Sequence, residues 1–300
     1  MTRHGYARKV FLHYLRIFAR YKEKTREGRG IEPLHHIRTT TRRLRNALWV
    51  FKEILSVKEL KRWRRNFRQL AKVTSAARDL DIQIQFLSGI KHRFSREEYR
   101  PVIENLRQRL KIRRRSLQPR IARSLDQVRQ SRTVEQLKIF LKHSSRSSGE
   151  ETVYLRHLAQ KRIGKRLKKV FYYESYADHP EAVDELHQLR IAAKHLRYTL
   201  ENFEGLYEKP VAPFIDSVRS IQSVLGELHD YDVWIATLPR YRRKNGSHQV
   251  WNEALDHLQT ECKKARDDTY RKFHYLWNDL KKQKAWEGLI DFVGDRNENL

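Results

Sequence analysis

A histidine followed by three cations at helical spacing occurs twice in this chain. The first copy, LHHIRTTTRRLRNAL, places His35, Arg38, Arg42 and Arg45 at i, i+3, i+7 and i+10. The second, LHQLRIAAKHLRYTL, does the same with His187, Arg190, Lys194 and Arg197. A single offset (187 − 35 = 152) relates all four positions. At about 100° per residue these positions fall within an arc of about 80°, so each copy forms one ridge along one helix. An apolar stripe runs beside each ridge: Leu34, Ile37, Leu44 and Leu48 in the first, Leu186, Leu189, Leu196 and Leu200 in the second. A purely solubilising face would stand opposite the core and alternate in sign with i,i+4 partners. Here the cations border the packed face, and no acidic residue occurs from His36 to Lys52.

The correspondence continues on either side. Upstream, the apolar positions Phe11/Ile163, Leu15/Leu167 and Phe18/Val170 match, as do the basic positions Lys9/Lys161, His13/Lys165 and Arg16/Lys168. Downstream, at an offset of 151 (218 − 67), FRQLAKVTSAARDLDIQIQFL lies over VRSIQSVLGELHDYDVWIATL, pairing Arg68 with Arg219, Asp79 with Asp230 and Asp81 with Asp232. A period this long exceeds any solenoid unit and reads as a duplication of a whole domain half. Only 11 Gly and 7 Pro interrupt segments rich in Leu, Arg, Lys, Glu and Gln, all good helix formers. The expected fold is therefore all-α: two helical bundles of about four helices each, related by a pseudo-twofold. The expected boundaries are 1–143 for the first bundle, 144–149 for a Ser/Gly linker and 150–300 for the second. The motif helices are expected over roughly 33–55 and 180–205, with Pro180 in the first turn of the second. Ser95-Arg96-Glu97-Glu98 reads as a capping box opening a fourth helix in the first half.

The formal charge of +28 draws polyanions over long distances. It is unevenly spread: residues 1–150 hold 39 Lys+Arg against 13 Asp+Glu, a net +26, and residues 151–300 hold 25 against 23, a net +2. Cys262 is the only cysteine, which leaves no disulfide framework and no cysteine-based metal site; a buried, small apolar role is expected for it. No apolar run approaches the ~20 residues of a membrane span, and the N-terminus lacks a signal peptide's apolar core. The expected location is cytoplasmic.

Catalysis finds no positive support. There is no H-E-x-x-H, no glycine-rich phosphate loop and no nucleophile elbow. Asp79, Asp81, Asp230 and Asp232 read as anchors for arginines or as helix caps rather than as a metal cluster, so no cofactor or metal is expected. The clusters Lys61-Arg62-Trp63-Arg64-Arg65, Arg113-Arg114-Arg115 and Tyr241-Arg242-Arg243-Lys244 are basic enough to touch nucleic acid. Trp63 is either a stacking ring on a basic patch or a core residue beneath a solvated face.

Like charges along one helix face destabilise it, and a multivalent anion offsets them. Arg presents a planar fork of donors to phosphate oxygens, Lys a point charge, and His a donor whose charge a nearby phosphate favours. The paired elements His35-x-x-Arg38-x-x-x-Arg42-Arg43-Leu44-Arg45 and His187-x-x-Arg190-x-x-x-Lys194-x-Leu196-Arg197-Tyr198, together with Arg78-Asp79-Leu80-Asp81 and Leu225-Gly226-Glu227-Leu228-His229-Asp230, resemble the signatures of the CHAD family, the conserved histidine α-helical domains. The resemblance spans nearly the whole chain with its parts in order. It implies two pseudo-symmetric helical bundles around a basic cavity, and binding of inorganic polyphosphate in a stand-alone member without a triphosphate tunnel domain. The expected binding residues are His35, Arg38, Arg42, Arg43, Arg45, His187, Arg190, Lys194 and Arg197. Lys9, His13, Arg16, Lys161, Lys165 and Lys168 form a second tier. The competing expectation is a non-specific RNA- or DNA-binding protein.

Overall fold

Apolar residues at three- and four-residue spacing run through most of the chain. Each run folds as a helix in the computed structural model, which describes residues 2–90, 97–140, 149–208, 210–242 and 249–294. Among the described residues there is no strand. The helices are α1 (Arg3–Arg26), α2 (Ile31–Val50), α3 (Val57–Ile90), α4 (Arg100–Ser116), α5 (Gln118–Gln130), α6 (Thr133–Phe140), α7 (Gly149–Phe171), α8 (Val183–Phe203), α9 (Ala212–Thr237), α10 (Gln249–Lys282) and α11 (Ala285–Gly294). Short 3-10 turns join several of them. None of the described helices is long and apolar enough to cross a membrane.

The chain divides into two compact units, Met1–Thr152 and Val153–Leu300. In the first, α1 packs on α2, α2 on α3, and α4 and α5 return along α3, with α5 also meeting α1. Its core is aromatic: Phe11, Phe51, Trp63 and Phe67 are all within 1% of full burial. Phe18 meets Phe67 edge-on at 6.2 Å. In the second, α8 packs on α9 and α9 on α10, while α11 closes against α9 and α10. Phe171 of α7 meets Trp286 of α11 at 6.1 Å, and Trp286 in turn meets Trp277 of α10 at 5.5 Å. Burying side chains of this size stabilises by on the order of 2–3 kcal/mol each. Cys262 lies in this core, and burial pushes its thiol up to about 12.

Several local expectations are corrected. The described residues form six helices in the first unit and five in the second, rather than about four each. The extra breaks are physical: Arg132 and Lys284 adopt left-handed backbone (φ 50° and 52°), which ends α5 and α10 and starts the short α6 and α11. Residues 144–148 of the expected linker lie outside the described residues, and Gly149, its last residue, already begins α7. Pro180 is not in the first turn of a helix. It sits in the turn before Ala182, the N-cap of α8, and its carbonyl accepts a hydrogen bond from Arg266 Nη2 at 2.6 Å. Ser95 and Arg96 lie outside the described residues. Ser56 caps the start of α3: its Oγ accepts from the Glu59 backbone N–H at 3.4 Å and donates to Glu59 Oε2 at 2.7 Å.

One ion pair recurs in both units. Asp81 of α3 accepts from Arg114 Nε of α4 at 2.8 Å, and Asp232 of α9 accepts from Arg266 Nε of α10 at 2.6 Å. These four side chains are 4–15% exposed, so they fix helix-to-helix register inside the bundle and not on its surface. Burial pushes both carboxyls upward, against the pull of their arginines. Removing one partner leaves a dehydrated charge. Asp81→Ala is therefore expected to destabilise the protein by about 3 kcal/mol. Asp79→Ala, at a largely exposed carboxylate, should cost under about 1 kcal/mol. Urea unfolding of both variants checks the contrast.

Candidate polyanion-binding surfaces

Arg45, the last ridge cation of the first copy, meets partners on the next helix because the chain turns back soon after it. After Val50 a single 3-10 turn (Lys52–Ile54) and the Ser56 cap return the chain, so α3 runs antiparallel to α2. Leu34, Ile37, Leu44 and Leu48 are all buried, which rotates the ridge to the edge of the α2–α3 contact. Contacts along that edge step in opposite directions on the two helices. His35 lies near Arg78, Arg38 Nη2 is 3.7 Å from Asp79, Arg42 Nη2 reaches Ser75 Oγ at 3.5 Å, and Arg45 faces Arg68 and Arg64.

The surface is strongly electropositive, and its own groups register that. His35 is held below the ordinary imidazole value, first by dehydration against packed protein and then by Arg78, His36, Arg38 and Arg42. Arg45 is lowered by burial and then by Arg68, Arg42 and Arg64; every charge acting on it is a cation. Arg43 is half-buried on the same helix. Asp79 lies within ion-pair distance of Arg38, and its side chain is 62% exposed. His36 belongs to another contact, stacked on Tyr21 with centroids 4.1 Å apart and 3.4 Å from Glu32.

The second unit repeats the register with weaker charge. The His187 ring lies 4.0 Å from that of His229 on α9, the position matching Arg78. Arg190 runs past Gly226, where an added Cβ would stand 3.7 Å from its Nε. Burial pushes His229 down to about 4, aided by His187, Arg190 and Lys194. His187 is also lowered, by burial, Arg190 and Lys194, against the pull of Asp184. Arg197 differs from its counterpart Arg45. Its guanidinium is 3.5 Å from Glu201 and stacks 5.1 Å above Tyr198, so an anion would compete with a carboxylate there. Arg219, which matches Arg68, is bonded to Asp216.

The second-tier residues are exposed on their helices: Lys9, His13 and Arg16 on α1, Lys161, Lys165 and Lys168 on α7. The sequence reading missed Arg64, Arg68 and Arg78 as members of the first surface and His229 of the second. Pairing the two segments as an antiparallel hairpin would have found them. It also missed Arg162, 4% exposed, and Arg166, which burial and then Arg162 push down to about 10. Trp63 is a core residue, fully buried and edge-on to Phe140 at 6.0 Å, so the cations around it have no stacking ring. In the third basic cluster, Arg243 and Lys244 lie outside the described residues, and Arg242 is paired with Asp256. Among the described residues no group of three or more His, Cys, Asp or Glu is placed to hold a metal ion.

A family model described as the CHAD domain matches residues 9–239. No curated protein sequence matches the chain. The fold is similar to the crystal structure of the CHAD domain from the plant Ricinus communis: TM-score 0.63, 20% identity, 98% of this chain and 91% of that one. It is also similar to a structure of PptA from Streptomyces chartreusis: TM-score 0.67, 16% identity, 92% of this chain and 97% of that one.

Two outcomes follow from the second surface. Because the folded-state pKa of His229 lies below 6.5, the unfolded chain takes up its proton first as pH falls. Stability should decline from about pH 6.5 to about pH 4, and His229→Gln should flatten that decline in thermal unfolding. Gly226→Ala meets only ordinary contact and replaces a helix-interior glycine. It should raise stability by about 0.5–1 kcal/mol in urea unfolding.

Proposed function

Since the chain belongs to the CHAD domain family, we propose that it binds inorganic polyphosphate on the cationic edges of α2–α3 and α8–α9. The observation that carries this reading is the first edge. His35, Arg38, Arg42 and Arg45 meet Arg64, Arg68 and Arg78 across a helix pair, and burial followed by the neighbouring cations Arg68, Arg42 and Arg64 lowers the pKa of Arg45. A chain of phosphates relieves that repulsion at every step. Capture begins with long-range attraction and counterion release, and charge-assisted hydrogen bonds from guanidinium and ammonium groups then fix the chain. Lys9, His13 and Arg16 on α1, and Lys161, Lys165 and Lys168 on α7, extend the reading as secondary contacts.

Polyphosphate is favoured over nucleic acid because the ring closest to the basic cluster of α3, Trp63, is in the core and offers no stacking platform. The reading is of a binding protein and not an enzyme. Asp81 and Asp232, the buried carboxylates of the matched Asp-x-Asp elements, are engaged by Arg114 and Arg266. Metal-dependent release of orthophosphate from polyphosphate would overturn that part.

Binding of long-chain polyphosphate, duplex DNA and single-stranded RNA, each titrated at several salt concentrations, tests the whole. Polyphosphate should bind most tightly. Arg38→Ala/Arg190→Ala, verified as folded by circular dichroism, should lose at least about tenfold in affinity, since each charge-assisted bond contributes about 1.5–3 kcal/mol. The slope of log K against log[salt] should fall by about one for each cation removed. Equal affinity for all three polymers, or no loss in the double variant, sinks the reading.

A further inference from the structure

The two surfaces differ at one place in a way that changes their chemistry. Across from His35, α3 supplies Arg78, a guanidinium that is charged at every physiological pH. Across from His187, α9 supplies His229, an imidazole. The two rings of the second unit sit 4.0 Å apart, tilted by 37°, on neighbouring helices. Two imidazolium ions at that separation repel, so the pair stays largely neutral unless negative charge arrives.

We infer, building on the polyphosphate reading above, that His187 and His229 form a proton-coupled anion site: the second unit takes up protons as the anion binds, where the first unit relies on the permanent charge of Arg78.

The surroundings of the pair are consistent in sign. From α8, Arg190 and Lys194 oppose protonation and Asp184 alone favours it. From α9, His229 brings its ring against that of His187, and His187 opposes the protonation of His229. On α10, Arg266 is neutralised on Asp232. In the turn before α8, Asp178 is held by His274 at 3.0 Å. No carboxylate among the described residues hydrogen-bonds to either ring, and His187 Nδ1 is enclosed without a hydrogen-bond partner. Among the described residues Asp184 alone favours the charged form of His187, and burial with Arg190 and Lys194 outweighs it. An oxyanion beside Arg190 and Lys194 reverses the local potential. Each ring can then bind a proton and become a cation with two N–H donors.

Linkage requires the reverse effect: if the anion brings protons, lower pH tightens the anion. His229 starts at about 4 in the free protein. Returned to the ordinary imidazole range, it alone would strengthen binding by about tenfold between about pH 8 and about pH 5.5.

Isothermal titration of the full chain with long-chain polyphosphate, at those two pH values and in two buffers of different protonation enthalpy, provides the test. Wild type should show net proton uptake near pH 5.5 and a correspondingly higher affinity. His229→Gln should lose about tenfold from the ratio of the two affinities. His229→Arg, which installs the first unit's residue, should flatten the ratio from the other side by raising affinity near pH 8. Wild type and His229→Gln having the same ratio, or wild type binding without proton uptake, overturns the proton-coupled site while leaving polyphosphate binding intact. No binding by wild type at either pH overturns the functional reading and this inference together.

Discussion

The arrangement depends on the competition between an apolar stripe and the cations beside it. Leu34, Ile37, Leu44 and Leu48 are each buried to within 2%, and each contributes on the order of 2 kcal/mol by leaving water. Repulsion between partly solvated like charges on neighbouring turns amounts to a few tenths of a kcal/mol per pair and is screened by salt. Burial wins, so α2 must rotate its ridge to the edge of α3, whatever charges α3 carries there. Those charges are Arg64, Arg68 and Arg78, with Asp79 the acidic member beside Arg38. The repulsion is not removed; it persists as a positive potential on a rigid helix pair.

The same backbone plan serves the second unit with a different electrostatic character. The buried Asp–Arg pair recurs, Asp81–Arg114 in one unit and Asp232–Arg266 in the other, because it fixes how the third helix packs on the next. The ridges have diverged where they face solvent. Lys194 and His195 replace Arg42 and Arg43, His229 replaces Arg78, Arg197 is shared with Glu201, and Arg219 is bonded to Asp216. The Asp–Arg positions between packed helices have thus kept their chemistry, while His229 in place of Arg78 exchanges a permanent charge for a conditional one. The counts of +26 and +2 for the two halves of the sequence reflect the same trend.

Legibility followed the range of the interaction. The helices of the motif, the stripe beside each ridge and the burial of Cys262 depend on neighbours within a turn or two, and sequence spacing reports those directly. Helix ends were less legible. Pro180 looked like a first-turn proline, yet its carbonyl is needed by Arg266, 86 positions away, and the helix starts three residues later. The S-x-x-E pattern occurs at both Ser95 and Ser56, and the Ser56 hydroxyl caps α3. Trp63 was ambiguous from its neighbours, four cations that argued for a surface, until the approach of Phe140 placed it in the core.

The sequence by itself determined the all-helical class, the matched halves and the two ridges, because a period of 3.6 residues is a local property of the chain. Only the tertiary structure decided what each ridge faces. Arg45 meets Arg68 and Arg64, whereas His187 meets His229. That pairing depends on the turn after Val50, the caps and the interlocking of side chains on antiparallel helices. None of these is encoded in the spacing of either helix alone, and together they convert two similar patterns into surfaces of different charge.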